Sequence, residues 1–125
     1  ELSANEDIGL IAFSPLAAGL LTGKYQNSAT PKGSRKTLSP DLGGRTTERV
    51  WPAVDAYLKI AAKHNVDIVH MSLAWCLTRP FMCSAIFGAT RHEQLEHILK
   101  MTDVELSQEC LDDIATAHKS HAMPY

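Results

Sequence analysis

Two short apolar runs, IGLIAF at residues 8–13 and SAIF at 84–87, are the segments of this 125-residue chain that read as buried strands. Each is continuous rather than alternating, which suits a strand covered on both faces, as in a parallel sheet flanked by helices. The rest of the chain reads as loop or helix. Strands that alternate with helices pair in parallel through right-handed crossovers. Two strands cannot close a barrel or build a doubly wound sheet, and they leave open edges whose backbone groups lack partners. This restricts the chain to part of a larger α/β arrangement.

Residues 26–47, QNSATPKGSRKTLSPDLGGRTT, mix Gly, Pro, Ser, Thr and charge without apolar periodicity and read as a long loop. From about Glu48, Val50, Val54, Tyr57, Leu58 and Ala61 recur at helical spacing. Pro52 falls in the first turn, where its missing N–H is tolerated. KHNVD breaks this helix. Asp67 then caps a second one, IVHMSLAWCLTR, with Met71, Ala74, Trp75 and Thr78 on one face and Pro80 as its stop. After the second strand, a helix from Arg91 to about Met101 is expected to turn Leu95, Ile98 and Leu99 inward. The last helix starts at Ser107, with Leu106 and Leu111 in the two staple positions. Its expected inner face is Leu111, Ile114, Ala115 and His118.

The chain is long enough for one domain with a core. It is 45% hydrophobic and 21% charged, and its net charge of −2 leaves no basic footprint for a nucleic acid. No apolar run approaches the roughly 20 residues of a membrane span, and the acidic start ELSANED is unlike a signal peptide. Cys76, Cys83 and Cys110 are odd in number and spaced for neither a disulfide framework nor a zinc site. They read as small core residues in a reducing compartment, here the cytoplasm. The six histidines include no H-E-x-x-H spacing and read as helical surface positions, so no metal is expected.

The strand ends carry more chemistry. A helix N-terminus offers free amides and the positive end of its dipole, a ready seat for phosphate. Gly88 would let an anionic ligand approach the backbone closely. Arg91 places a cation in a first turn that would favour an acid, unless an anion sits there. TRHE at 90–93 also fits a capping box, and the two readings are compatible because a cap leaves other amides free. The first strand ends in SPLAAGLLTGKY, where Ser14 supplies a hydroxyl, Gly19 and Gly23 permit tight turns, and Lys24 supplies a cation. An ordinary turn with a solvated lysine would look the same. Parallel pairing, however, would bring Ser14, Lys24, Gly88 and Arg91 to one end of the sheet, where α/β proteins gather ligands.

AFSPLAAGLLTGKY, SLAWCLTRP, FGATRHEQLEHI and ELSQECLDDIATAH resemble the last third of an aldo-keto reductase. The branch they resemble contains the Tas-like reductases and the potassium-channel β subunits. The likeness runs over essentially the whole chain. S-P-L-x-x-G-x-x-T-G-K followed at this separation by G-A-T-x-x-x-Q-L is much more specific than either motif alone.

The resemblance implies an α/β fold, the C-terminal part of a (β/α)8 TIM barrel, incomplete as a barrel on its own. Residues 8–14 would be strand seven, 84–88 strand eight, and the helix from Asp67 their crossover. Residues 1–125 would form a partial NADP-dependent oxidoreductase domain that uses NADP(H) to interconvert carbonyls and alcohols. By the same likeness, Ser14, Pro15, Leu16, Ala17, Ala18 and Gly19 run along the cofactor's pyrophosphate with help from Lys24. Ser34 and Arg35 support the adenosine phosphate end, and Gly88, Thr90 and Gln94 the ribose phosphate and adenine side.

Three and four residues after that glutamine the family usually has Glu-Asn at the adenine edge. This chain has His97 and Ile98, and isoleucine cannot make such hydrogen bonds. The family's catalytic Asp, Tyr, Lys and His come from earlier strands, so no residue here takes those roles. The partners implied are NADP(H) and a small carbonyl substrate in the complete barrel. A truncated, non-catalytic family member would instead bind or regulate through exposed barrel edges, as a homo-oligomer or with a complementary barrel half.

Overall fold

The computed structural model describes residues 2–125. A single helical turn, α1 (Leu2–Asn5), precedes strand β1 (Leu10–Phe13). The segment after β1 holds two 3-10 turns, Ala17–Thr22 and Gln26–Ser28, and the short helix α2 (Arg35–Leu38). Helices α3 (Val50–Lys63) and α4 (Ile68–Leu77) lead to β2 (Met82–Ile86). Helix α5 (His92–Leu99), a 3-10 turn at Lys100–Asp103 and α6 (Gln108–Ser120) complete the chain.

β1 and β2 pair in parallel, as expected of a strand–helix–strand order. Leu10 faces Met82, whereas Ile11 faces Ser84, so Cys83 is an extra residue in β2. Gly9 makes this close approach possible, because a Cβ there would overlap Cys83 Sγ. The bulge explains why Cys83 is exposed, contrary to its expected place in a core; Cys110 is buried, Cys76 half-buried, and all three thiols are free.

The strands are not buried on both faces. Ile11 is 60% exposed, Phe13 77% and Ile86 55%. Their composition suits a sheet with cover on either side, and these residues lack that cover within the chain.

The helical layer has two adjoining cores. One gathers Ala61, Ile68, Val69, Met71, Leu73, Ile98, Cys110 and Ile114. The other, beneath the loop after β1, gathers Ala17, Leu20, Tyr25, Leu42, Val50 and Val54. Two N-caps form where sequence places them. Asp67 Oδ1 accepts the amides of Val69 and His70 at 2.8 and 3.2 Å, and Ser107 Oγ accepts the amide of Cys110 at 3.2 Å.

Three helix faces differ from expectation. α4 is apolar nearly all round and packs against β2, α3 and both neighbouring 3-10 turns. It therefore buries Ile68, Val69 and Leu73 with Met71 and Ala74, while Trp75 and Thr78 point outward. α5 buries Ile98 but leaves Leu95 and Leu99 exposed, since no further layer lies on its flank. α6 turns Cys110, Ile114 and Ala117 inward, rather than Leu111, Ala115 and His118. Cys110 and Ile114 pack into the core and set that rotation, and Lys63 on α3 then meets Glu109 at 2.9 Å and Asp113 at 2.7 Å, one turn apart on α6. Among the described residues, no helix is long and apolar enough to cross a membrane.

Candidate functional site

The register pairs Phe13 with Ile86, so the chain leaves both strands at the same end of the sheet. Ser14 and Phe87 are the first residues beyond it, and the two predicted loops start side by side. The larger one is strained. Ser14, Ala17 and Ala18 have φ of 58°, 48° and 58°, a region that L-residues with a Cβ avoid. Such positions cost on the order of 1–3 kcal/mol each and persist only where the surroundings over-determine them.

Here the surroundings are the second core. Leu20 and Tyr25 are each 1% exposed and pin the turn from below. Thr22 Oγ1 donates to the Gly19 carbonyl at 2.8 Å, and the amides of Ala17 and Gly19 go to the carbonyls of Ser14 and Leu16 at 2.9 Å. Those two amides are therefore spent within the turn. Leu16 and Ala17 pack their side chains into the cores, so their remaining contribution is backbone.

Gly19 has φ of 94°, and a Cβ there would lie 3.2 Å from both Cε and Nζ of Lys24. The lysine folds back over the glycine and brings its ammonium to the turn. Lys24 Nζ lies 5.1 Å from the centre of the Tyr25 ring, and Lys36 Nζ lies 5.7 Å from it and 5.4 Å from that of Trp51. Sequence reasoning missed Thr22, Tyr25 and Lys36. Thr22 and Tyr25 stand inside or beside the G-x-x-T-G-K run and were legible there; Lys36 comes from the loop and had no local signal. Arg35 is exposed on α2, beside Ser34, whose Oγ is buried without a partner.

The loop after β2 is different. Gly88 is exposed, has no positive φ, and a Cβ there would meet nothing within 4 Å. The expected capping box does not form, because the N-cap falls on Arg91, one residue later, with no side-chain cap bond. Gln94 Oε1 instead accepts the Thr90 amide at 3.0 Å and the Thr90 hydroxyl at 3.2 Å. Two of the predicted residues thus hold each other and shape the loop.

A cavity of about 530 Å³ opens between the end of β1, α3, α4, α6 and the C-terminal segment. Ser14, Pro15 and Ala17 line it, whereas Lys24, Arg35, Gly88, Thr90 and Gln94 do not. Burial pushes the Tyr57 hydroxyl and the Cys76 thiol up, so both stay neutral at neutral pH and the cavity wall is uncharged there. The predicted residues accordingly fall into three groups: the Ser14–Lys24 turn, the Gly88–Gln94 segment, and Arg35 on the surface of α2.

The aldo/keto reductase family matches residues 1–119 of this sequence. The chain belongs to that family, whose barrel it represents in part: two parallel strands and their helices. It is 38% identical to Protein tas of Escherichia coli over 124 residues, 99% of this chain and 36% of that protein. It is 39% identical to a probable voltage-gated potassium channel subunit beta of Arabidopsis thaliana over 106 residues, 82% of this chain and 32% of that one. An uncharacterized oxidoreductase of Mycobacterium tuberculosis is 36% identical over 111 residues, 89% of this chain and 34% of its own length. The chain spans about a third of the length of these curated relatives.

Proposed function

We propose that these residues form part of the NADP(H) cradle of an aldo/keto reductase that interconverts carbonyls and alcohols. The observation that carries this reading is the strained Ser14–Gly23 turn, with Lys24 folded over Gly19, at the end of the sheet from which the Gly88 loop also departs. Strain held in place by a core is one way a chain keeps a shape for a ligand. A lysine over a glycine with no Cβ, and the orphaned Ser34 hydroxyl next to Arg35, suit a phosphate-bearing group.

In this reading Ser14 through Gly19 and Lys24 receive the diphosphate linker. Arg35 receives the adenosine phosphate, and Gly88, Thr90 and Gln94 border the ribose and adenine. The cofactor supplies the hydride, and these residues bind and orient it. The groups that polarise the carbonyl belong to strands outside these 125 residues, and the substrate is a small carbonyl compound met in the complete barrel. Three unpaired thiols fit a reducing compartment such as the cytoplasm.

The test is NADPH fluorescence titration of the full protein. Arg35→Ala and Lys24→Ala should each weaken binding about tenfold, the worth of one charge-assisted bond. Unchanged affinity in both would remove the cradle. Residues 1–125 alone should reduce carbonyls at background rate, and measurable turnover by them would overturn the placement of the catalytic groups elsewhere.

A second reading rests on the exposed apolar sheet residues Ile11, Phe13 and Ile86. Such a surface would let the chain act without catalysis, as a binding or regulatory subunit joined to a second copy or a complementary barrel half. Light scattering after size exclusion separates the two. A defined complex favours this reading, and a cooperatively melting monomer counts against it.

A further inference from the structure

We propose that Asp67, His70 and His97 form a binding site for a late first-row divalent metal ion such as Zn²⁺. Each of the three brings a ligand atom within 4.8 Å of the other two, although His97 lies far along the chain from the pair on α4. His97 Nε2 is 3.2 Å from Asp67 Oδ1, and the two imidazole rings stack with centroids 4.6 Å apart. Two histidines and a carboxylate are a donor set of borderline softness suited to such ions.

Their positions are fixed from behind. His70 lies between buried Val69 and Met71, and His97 precedes buried Ile98, all in one core. Oδ1 of Asp67 accepts two backbone amides and lies beside His97 Nε2, so the helix cap holds the carboxylate against the imidazole. His70 Nε2 lies 2.6 Å from the His97 carbonyl. A carbonyl only accepts, so that nitrogen carries its proton and the lone pair of the neutral ring lies on Nδ1. This is the outer bond that ligating histidines make to fix their tautomer.

An ion bound at His97 Nε2 needs that nitrogen's lone pair, so the neutral ring would carry its one proton on Nδ1 and no longer donate to the carboxylate. Tetrahedral bonds of about 2.0–2.1 Å set ligand atoms roughly 3.3 Å apart, which His97 Nε2 and Asp67 Oδ1 already meet at 3.2 Å, while the whole group stands within 4.8 Å. The side chains are partly exposed, with His97 46% and Asp67 39% open, and rotation closes the difference while water fills the remaining positions. The comparable group of His64, Glu109 and Asp113 is unlike this one, because the Lys63 ammonium already occupies it.

The experiment is calorimetric titration of the full chain with Zn²⁺ in a Cys83→Ser background, which removes the exposed thiol. One ion per chain is expected. His70→Gln and His97→Gln should each lower affinity about tenfold or more, the scale of changes at such sites. Asp67→Asn keeps the helix cap, since asparagine caps as well, and should also weaken binding. Where a variant loses its wild-type circular dichroism, histidine ring NMR of the unaltered protein decides. Zn²⁺ shifting the His70 and His97 resonances ahead of the other histidines supports the site. Absence of saturable uptake, wild-type affinity in both histidine variants, or unmoved resonances overturns it. None of these readouts involves NADPH, so the cradle stands or falls separately.

Discussion

The turn after β1 and the loop after β2 leave the same end of one sheet, yet they are held by different means. The first carries positive φ at Ser14, Ala17 and Ala18 and rests on Leu20 and Tyr25, which are almost fully enclosed. The second has no positive φ between Phe87 and His92, is largely exposed, and is shaped by Gln94 bonding back to Thr90. Strain survives where packing enforces it, so the first turn holds its shape through its own core. The second is a short, wet segment whose shape has little local packing behind it. In the cradle reading, the turn supplies a preformed seat for the phosphates, and the loop adapts to the remainder of the cofactor.

The contrast can be broken most forcefully at Leu20. Leu20→Ala opens a cavity under the strained turn and should cost about 2–5 kcal/mol, read as a lower urea midpoint. A cost near zero would mean that the turn holds without its core. A paired test follows at the glycines. Gly19→Ala puts a side chain at φ of 94° against Lys24 and should destabilise by about 1–2 kcal/mol. Gly88→Ala should change stability by less than about 0.5 kcal/mol, because its Cβ would enter open space. Equal losses in that pair would erase the distinction between the loops.

Gln94→Ala should cost about 0.5 kcal/mol, the low end for hydrogen bonds in an exposed setting, and should raise amide exchange at Thr90. The smallest expected effect lies away from both loops, where α3 meets α6. Hydrogen bonds from Lys63 and then His64 hold the Asp113 carboxyl below its ordinary 3.8. The folded chain therefore binds fewer protons there than the unfolded one. The stabilisation is present above pH 4 to 5 and fades as pH falls through the depressed value. Asp113→Asn should flatten that part of the acid unfolding curve, and an unchanged curve would show that the clamp adds nothing.

Much of this molecule was legible in its residues because the signals act over one helical turn or one strand. Asp67 and Ser107 cap their helices, and KHNVD ends α3 with Asn65 in the left-handed region. The helix–strand alternation implied the parallel pair, and the two spaced motifs implied the family. Legibility failed where two distant segments negotiate. α6 is rotated from its expected face by the packing of Cys110 and Ile114, and α5 takes Arg91 rather than Thr90 as its N-cap while Thr90 bonds to Gln94 instead of forming a box with Glu93. The histidines read as scattered surface positions, yet the packing of Ile98 sets His97 against His70.

Local chemistry therefore determined which stretches coil, which extend, where each helix starts after Asp67 and Ser107, and that the strands run the same way. Tertiary packing decided which side of each helix faces inward, how far Lys24 folds over Gly19, and which polar groups meet across the chain. Caps and turns draw on neighbours within a few bonds, whose positions sequence order fixes. Contacts between helices depend on rotation and spacing that many side chains set together, and no single stretch of sequence encodes that sum.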